Sequence, residues 1–149
     1  MSTDTSGADA TVRAEIARAF HELRPQIIEN ARKDADLDPA SRLSAFSDPD
    51  LEQIVNAWGA MFTEALEGDG RETRELIFET ALPPILELGQ TALDMARSTV
   101  ISAVMLTSRL LPLIAPEHRE DAARWLACYH STYTYELLER VMALKAEAR

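Results

Sequence analysis

His130 stands beside Cys128 and Tyr129 on a line of apolar or amphipathic residues at Ala123, Leu126, His130, Tyr133, Leu137 and Leu144, with Val141 beside the gap at Arg140. Steps of three and four residues make a heptad seam. Histidine changes charge near pH 6.5. Two copies of His130 facing each other across paired helices would repel once protonated, which makes a pH-responsive contact. Its plainer role is a hydrogen-bonded core or interface histidine. Trp58, Met61 and Phe62 lie at helical spacing and serve either as a small-molecule pocket or as simple core. Asp34, Asp36 and Asp38 alternate as in a calcium loop, but Pro39 takes the sixth position, where such a loop needs glycine for its turn. The triplet therefore reads as a solvated linker.

Other signatures of chemistry fail. There is no Glu-x-x-His for a di-metal bundle, no His-x-x-x-His for a zinc helix, no Gly-x-Ser-x-Gly elbow and no glycine-rich phosphate loop. No catalytic, metal or cofactor residue is assigned, and the chain is expected not to be an enzyme.

The elements that must position these residues are helices. Asp9 reads as the N-cap of a first helix carrying Val12, Ile16, Phe20, Leu23, Ile27 and Ala31, with a kink or restart at Pro25. Residues 34–47 form a polar connection with a short helical turn around Leu43 and Phe46. Asp48-Pro49 opens a second long helix, a capping carboxylate followed by proline. Its stripe runs Leu51, Ile54, Val55, Trp58, Met61, Phe62, Ala65 and Leu66 to the stop at Gly68-Asp69-Gly70. Arg71 to Leu82 is helical, a short helix runs from Pro84 to Gly89, and Thr91 caps a longer one. That one is apolar or small all round between Ser98 and Ser108, which predicts the most buried helix. No segment alternates long enough for a strand. The fold class is all-α, with six to seven helices.

From Pro116 onward there is neither glycine nor a further proline. About 33 residues of helix make a rod of roughly 50 Å, longer than the body of about 30 Å formed by the rest. Its first half, with Ala122, Trp125 and Tyr129 beside the seam, is expected to pack into the body. Its second half keeps only Leu137, Val141 and Leu144 among charges, and is expected to protrude and pair. The expected homodimer interface is thus His130, Tyr133, Leu137, Val141 and Leu144, with Val12, Ile16 and Phe20 of the first helix as the other candidates.

The 149 residues suffice for one domain with a real core. The expected division is a disordered polar leader over 1–9, a globin-like domain over 10–135, and the linker end of the last helix over 136–149. A single cysteine forms no internal disulfide and points to a reducing, cytoplasmic setting. The stretch from Ser98 to Ser108 is about 11 residues, where a membrane span needs about 20, so no membrane association is expected. The net charge is −10. Between Asp34 and Asp94 fourteen carboxylates face only Arg42, Arg71 and Arg74, which excludes nucleic acid as a partner and reads as a solvated acidic surface.

Two stretches, DLEQIVNAWGAMFTEALEGDG (50–70) and RELIFETALPPILELGQTALDMARSTVISAVMLTSRLLPLI (74–114), are followed by the closing helix RWLACYHSTYTYELLERVMALK. In this order they resemble the N-terminal domain of the RsbR stressosome sensor-scaffold family, a dimeric globin-fold domain without haem. The likeness spans most of residues 10–145 and is carried by helix lengths, apolar spacing and the Gly89 junction. It implies a non-enzymatic signalling input and scaffold module. Such a module passes its signal along a linker helix to a STAS domain and works with other stressosome proteins. The family's phosphorylated threonines are not carried onto this sequence, and no STAS domain precedes Arg149. An excised sensor domain or a stand-alone relative is expected. A haem globin needs a proximal histidine within residues 71–89, which hold none; His21, His118 and His130 lie on the first and last helices. No cofactor is expected. Two alternatives stay open: a ligand-binding sensor globin for haem, a tetrapyrrole or a fatty acid, and a purely structural dimerisation module.

Overall fold

The computed structural model describes residues 5–38 and 43–148, with side chains from Asp9 onward. The described residues hold seven α-helices and no strand: α1 (Thr5–Glu29), α2 (Ala31–Asp36), α3 (Asp48–Glu67), α4 (Arg71–Thr80), α5 (Leu82–Glu87), α6 (Ala92–Leu110) and α7 (Arg119–Glu147). Short 3-10 turns cover Leu43–Ala45, Leu111–Leu113 and Pro116–His118. The all-α expectation holds. The leader expected over 1–9 lies partly outside the described residues, and from Thr5 the chain is already α1.

Local chemistry sets the helix ends. Ser47, not Asp48, caps α3: its hydroxyl accepts from the Asp50 amide, with Asp48 and Pro49 in the first turn. Thr91 and Asp94 close a reciprocal capping box on α6. Asp9 is no cap; it lies inside α1 and pairs with Arg13 one turn on at 3.1 Å. α1 also runs through Pro25 to Glu29. Between α3 and α4 the left-handed residue is Gly70, at φ +63°, where a Cβ would lie 2.9 Å from the backbone nitrogen of Ala65. Only glycine fits there without strain.

Two apolar clusters hold the helices together. The first joins Val12, Ile16, Ala19, Phe20 and Leu23 of α1 to Phe62, Ala65 and Leu66 of α3, Leu106 and Leu110 of α6, and Ala122, Leu126 and Tyr129 of α7. Phe62 is its hub, with ring centroids 4.9 Å from Phe20, 5.7 Å from Trp58, 5.9 Å from Trp125 and 5.1 Å from Tyr129. Phe20 closes over α3 at Gly59, where a Cβ would stand 3.4 Å from its ring, about van der Waals contact. The second cluster is Phe78, Leu82, Met95, Leu137 and Val141. The start of α6 thus meets the end of α7 in one cluster, and their near ends meet in the other. The two helices form an antiparallel hairpin.

Three expectations are corrected here. The second half of α7, which includes the expected linker end, does not protrude up to Val141: Leu137 and Val141 are buried against α4, α5 and α6. The charges around them find partners on α4, in the ion pairs Arg74–Glu136 and Glu75–Arg140. Val12, Ile16 and Phe20 are likewise committed to the chain's own core. These five residues are interior packing rather than a face between copies. Finally, α6 is not buried all round. Met95, Thr99, Leu106 and Leu110 face inward, while Leu93, Val100 and Val104 are exposed.

Leu137→Asp places an unpaired carboxylate among Phe78, Leu82 and Val141, and is expected to lower unfolding stability by about 3–4 kcal/mol. Gly70→Ala is expected to lower it by about 1–2 kcal/mol through its left-handed backbone. Urea denaturation of the two variants checks both. A stable Leu137→Asp chain would mean that α7 does not dock on α4 and α5.

Candidate functional site

Between the two clusters lies a cavity of about 710 Å³, walled by residues of all seven helices. That volume falls in the range of roughly 300–1,000 Å³ common for small-molecule sites. The lining is mainly apolar. α3 supplies Ile54, Trp58 and Met61, α6 supplies Ile101, Met105 and Leu106, and α7 supplies Tyr133 and Leu137. The cavity exists because α3 and α6 meet α7 through large side chains at its two ends, leaving the middle of α7 facing an unfilled span.

Polar groups enter this lining at defined places. Arg109 of α6 donates to both carboxylate oxygens of Asp34 at 2.8 and 3.0 Å. This paired geometry raises the guanidinium pKa through the hydrogen bond to Asp34, against the opposing effect of burial. Asp38 is buried and accepts from the Ser98 hydroxyl at 2.9 Å, with Arg97 farther off at 3.6 Å. The Asp34–Asp38 stretch is therefore no solvated linker. Asp34 and Asp36 belong to α2, and Asp34 and Asp38 tie it to α6.

His130 is the least expected member. It is 8% exposed and lines the cavity. Its Nδ1 lies 2.8 Å from the Leu126 carbonyl oxygen. That contact requires a proton on Nδ1, so in the neutral ring Nε2 carries the lone pair. Nε2 has no hydrogen-bond partner among the described residues. Burial pulls the His130 pKa below its ordinary value, with the backbone hydrogen bond acting the other way. Burial pushes Tyr133 up to about 12, so its phenol stays neutral at physiological pH.

The sequence candidates thus regroup. Trp58 and Met61 do line the cavity, whereas Phe62 is the hub of the aromatic core. Tyr133, Leu137 and His130, expected on a dimer seam, face the cavity of their own chain. Leu144 is half-buried against the second cluster. The lowered pKa of His130 comes from burial in its own chain and needs no facing second copy. Residues 71–89 carry no histidine, yet His130 reaches the cavity from α7, so a histidine does stand at the site. Cys128, expected beside core residues, is exposed. Asp34, Asp38, Ser98 and Arg109 escape sequence reasoning, because nothing local in sequence pairs positions 60 to 75 residues apart. Among the described residues no group of three or more acidic, histidine or cysteine side chains is placed to hold a metal ion, and no helix is long and apolar enough to cross a membrane. The chain matches no family model, no curated protein and no solved structure.

A second histidine titrates in the opposite sense. His118 pairs with Glu15 at 3.0 Å, and the contact with that carboxylate raises its pKa. Its stabilising contribution is complete below the unfolded value of about 6.5 and is lost as pH rises through the higher folded value. For His130 the unfolded chain takes up a proton that the folded chain refuses. Stability therefore falls as pH drops below about 6.5 toward the lower folded value. Subtracting His118→Gln and His130→Gln from wild type in urea unfolding between pH 5 and 8 is expected to give difference curves of opposite slope. Parallel slopes would contradict the surroundings described for one of the two rings.

Proposed function

We propose that this chain is a non-enzymatic sensory input module, in which a small apolar molecule held in the cavity changes how α7 lies and α7 carries that change onward. The supporting observation is that Tyr133 and Leu137 of α7 wall the cavity while Leu137 also docks α7 on Phe78, Leu82 and Met95. Filling the cavity presses on the residues that hold the second half of α7 in place. The likeness of residues 50–70 and 74–114 to the RsbR N-terminal domain supports the same reading. In that family the last helix leads to a STAS domain, which makes STAS and other stressosome proteins the proposed partners.

Pairing of two copies also belongs to this reading, but on a different face. Leu93, Val100 and Val104 on α6 and Tyr135 and Met142 on α7 are between 60% and 82% exposed. Spacings of seven and four set the first three along one side of α6, and a spacing of seven does the same for the other two on α7. An apolar face of this kind suits a second copy of the chain better than water.

Diphenylhexatriene, an apolar fluorophore, is expected to bind one-to-one and to quench Trp58, and Met105→Trp should exclude it by filling the cavity. Absence of saturable uptake by wild type would sink the input reading. For pairing, light scattering should report a dimer that becomes monomeric in the double variant Val100→Asp, Val104→Asp with little change in thermal midpoint. A monomeric wild type would remove pairing from the proposal.

A further inference from the structure

We infer that His130 is the polar anchor of the cavity and selects a neutral, largely apolar ligand bearing a hydroxyl that donates to Nε2. The inference rests on the cavity being a ligand site and goes on to specify what it takes.

Four observations carry it. First, the Leu126 carbonyl occupies Nδ1 at 2.8 Å, so the ring's remaining capacity is the lone pair on Nε2. Second, that nitrogen is buried, has no hydrogen-bond partner among the described residues, and belongs to a side chain that lines the cavity. A buried acceptor left unpaired is costly, and a ligand donor that displaces the atoms now covering Nε2 relieves that cost. Third, no hydroxyl of the described lining pairs with Nε2: Ser98 bonds to Asp38 and the Asp94 carbonyl, Thr99 to the Ala96 carbonyl and Thr80 to the Leu76 carbonyl, while Ser102 and Tyr133 also leave Nε2 unpaired. Fourth, the charge of the lining disfavours anions. Among the described lining residues Arg109 is the one cation, and its two terminal nitrogens each donate to Asp34, which neutralises it, while Asp38 adds a second carboxylate. A carboxylate ligand would meet two negative groups and a cation already paired with one of them. A neutral alcohol meets no such penalty.

The chemistry expected of the ligand is therefore a body large enough to use much of about 710 Å³ of mainly apolar space, ending in one O–H. Site geometry of this sort discriminates strongly, because an analogue without the donor leaves Nε2 buried and unpaired.

Displacement of diphenylhexatriene from the wild-type chain by decanol, methyl decanoate and decanoate at pH 8 tests this. Decanol is expected to displace the fluorophore at about one-tenth the concentration that methyl decanoate needs, with decanoate weakest. In His130→Phe the alcohol and the ester should converge while diphenylhexatriene still binds. Equal displacement by alcohol and ester in wild type would overturn the role of His130 and leave the cavity reading standing. If diphenylhexatriene does not bind and decanol leaves Trp58 emission unchanged, both readings fail together. Should His130→Phe not fold, the imidazole nitrogen NMR spectrum of wild type decides: Nε2 must shift with decanol and not with the ester, and an unmoved resonance overturns the inference. A saturable Soret band with hemin that disappears in His130→Phe would also overturn it, since Nε2 would then serve a metal centre and not a hydroxyl.

Discussion

Everything in this molecule depends on α7 being one uninterrupted helix that serves two cores. Its early residues, Ala122, Leu126 and Tyr129, complete the cluster around Phe62, and its later ones, Leu137 and Val141, complete the cluster around Phe78. At 1.5 Å per residue the two contact regions lie roughly 15–20 Å apart along the axis. A rigid helix pinned at both ends leaves its middle to face whatever lies between, and here that is the cavity. His130 and Tyr133 occupy this middle stretch. The position of the site follows from the spacing of the two clusters rather than from any local signal.

The aromatic hub explains why that arrangement is stiff on one side. Phe62 meets four other rings in edge-on or stacked contact, and Trp125 stacks on Tyr129 at 5.5 Å with planes 4° apart. Interlocked rings of this kind tolerate little sliding. The second cluster has fewer ring contacts, with Phe78 meeting only Tyr133 among the described rings, and is otherwise aliphatic side chains, a methionine and two ion pairs at its edge. The later half of α7, which also borders the cavity, is thus the less tightly interlocked of the two.

Much of the helical frame is legible in the sequence. The cap at Thr91, the glycine stop near residue 70 and the stripe from Leu51 to Leu66 each rest on short-range chemistry, and each reappears as an element. The failures share one cause. The narrow line Leu137, Val141 and Leu144 reads as an outward seam because periodicity states that a face is apolar but not what covers it. Phe78 and Leu82, which cover it, sit more than fifty residues earlier, beyond any local pattern. Val12, Ile16 and Phe20 mislead in the same way. His130 is legible as an unusual position on α7, while its role at a cavity depends on residues of α3 and α6. Ser47 displaces Asp48 as the cap by a single position, the ordinary uncertainty of a helix end.

The charges joining α4 to α7 carry one more consequence. Arg74 pairs with Glu136 and its neighbour Glu75 with Arg140, so adjacent residues of opposite sign on one helix read residues one turn apart on the other. Slide α7 by one turn so that Glu136 takes the place of Arg140, and Glu75 meets Glu136, like against like. The alternating pattern thus penalises the neighbouring register of α7, a slip that aliphatic contacts alone would resist less, because leucine and valine fit one turn much as they fit the next. Charge order thus adds to the aromatic packing in holding the helix to a single seat.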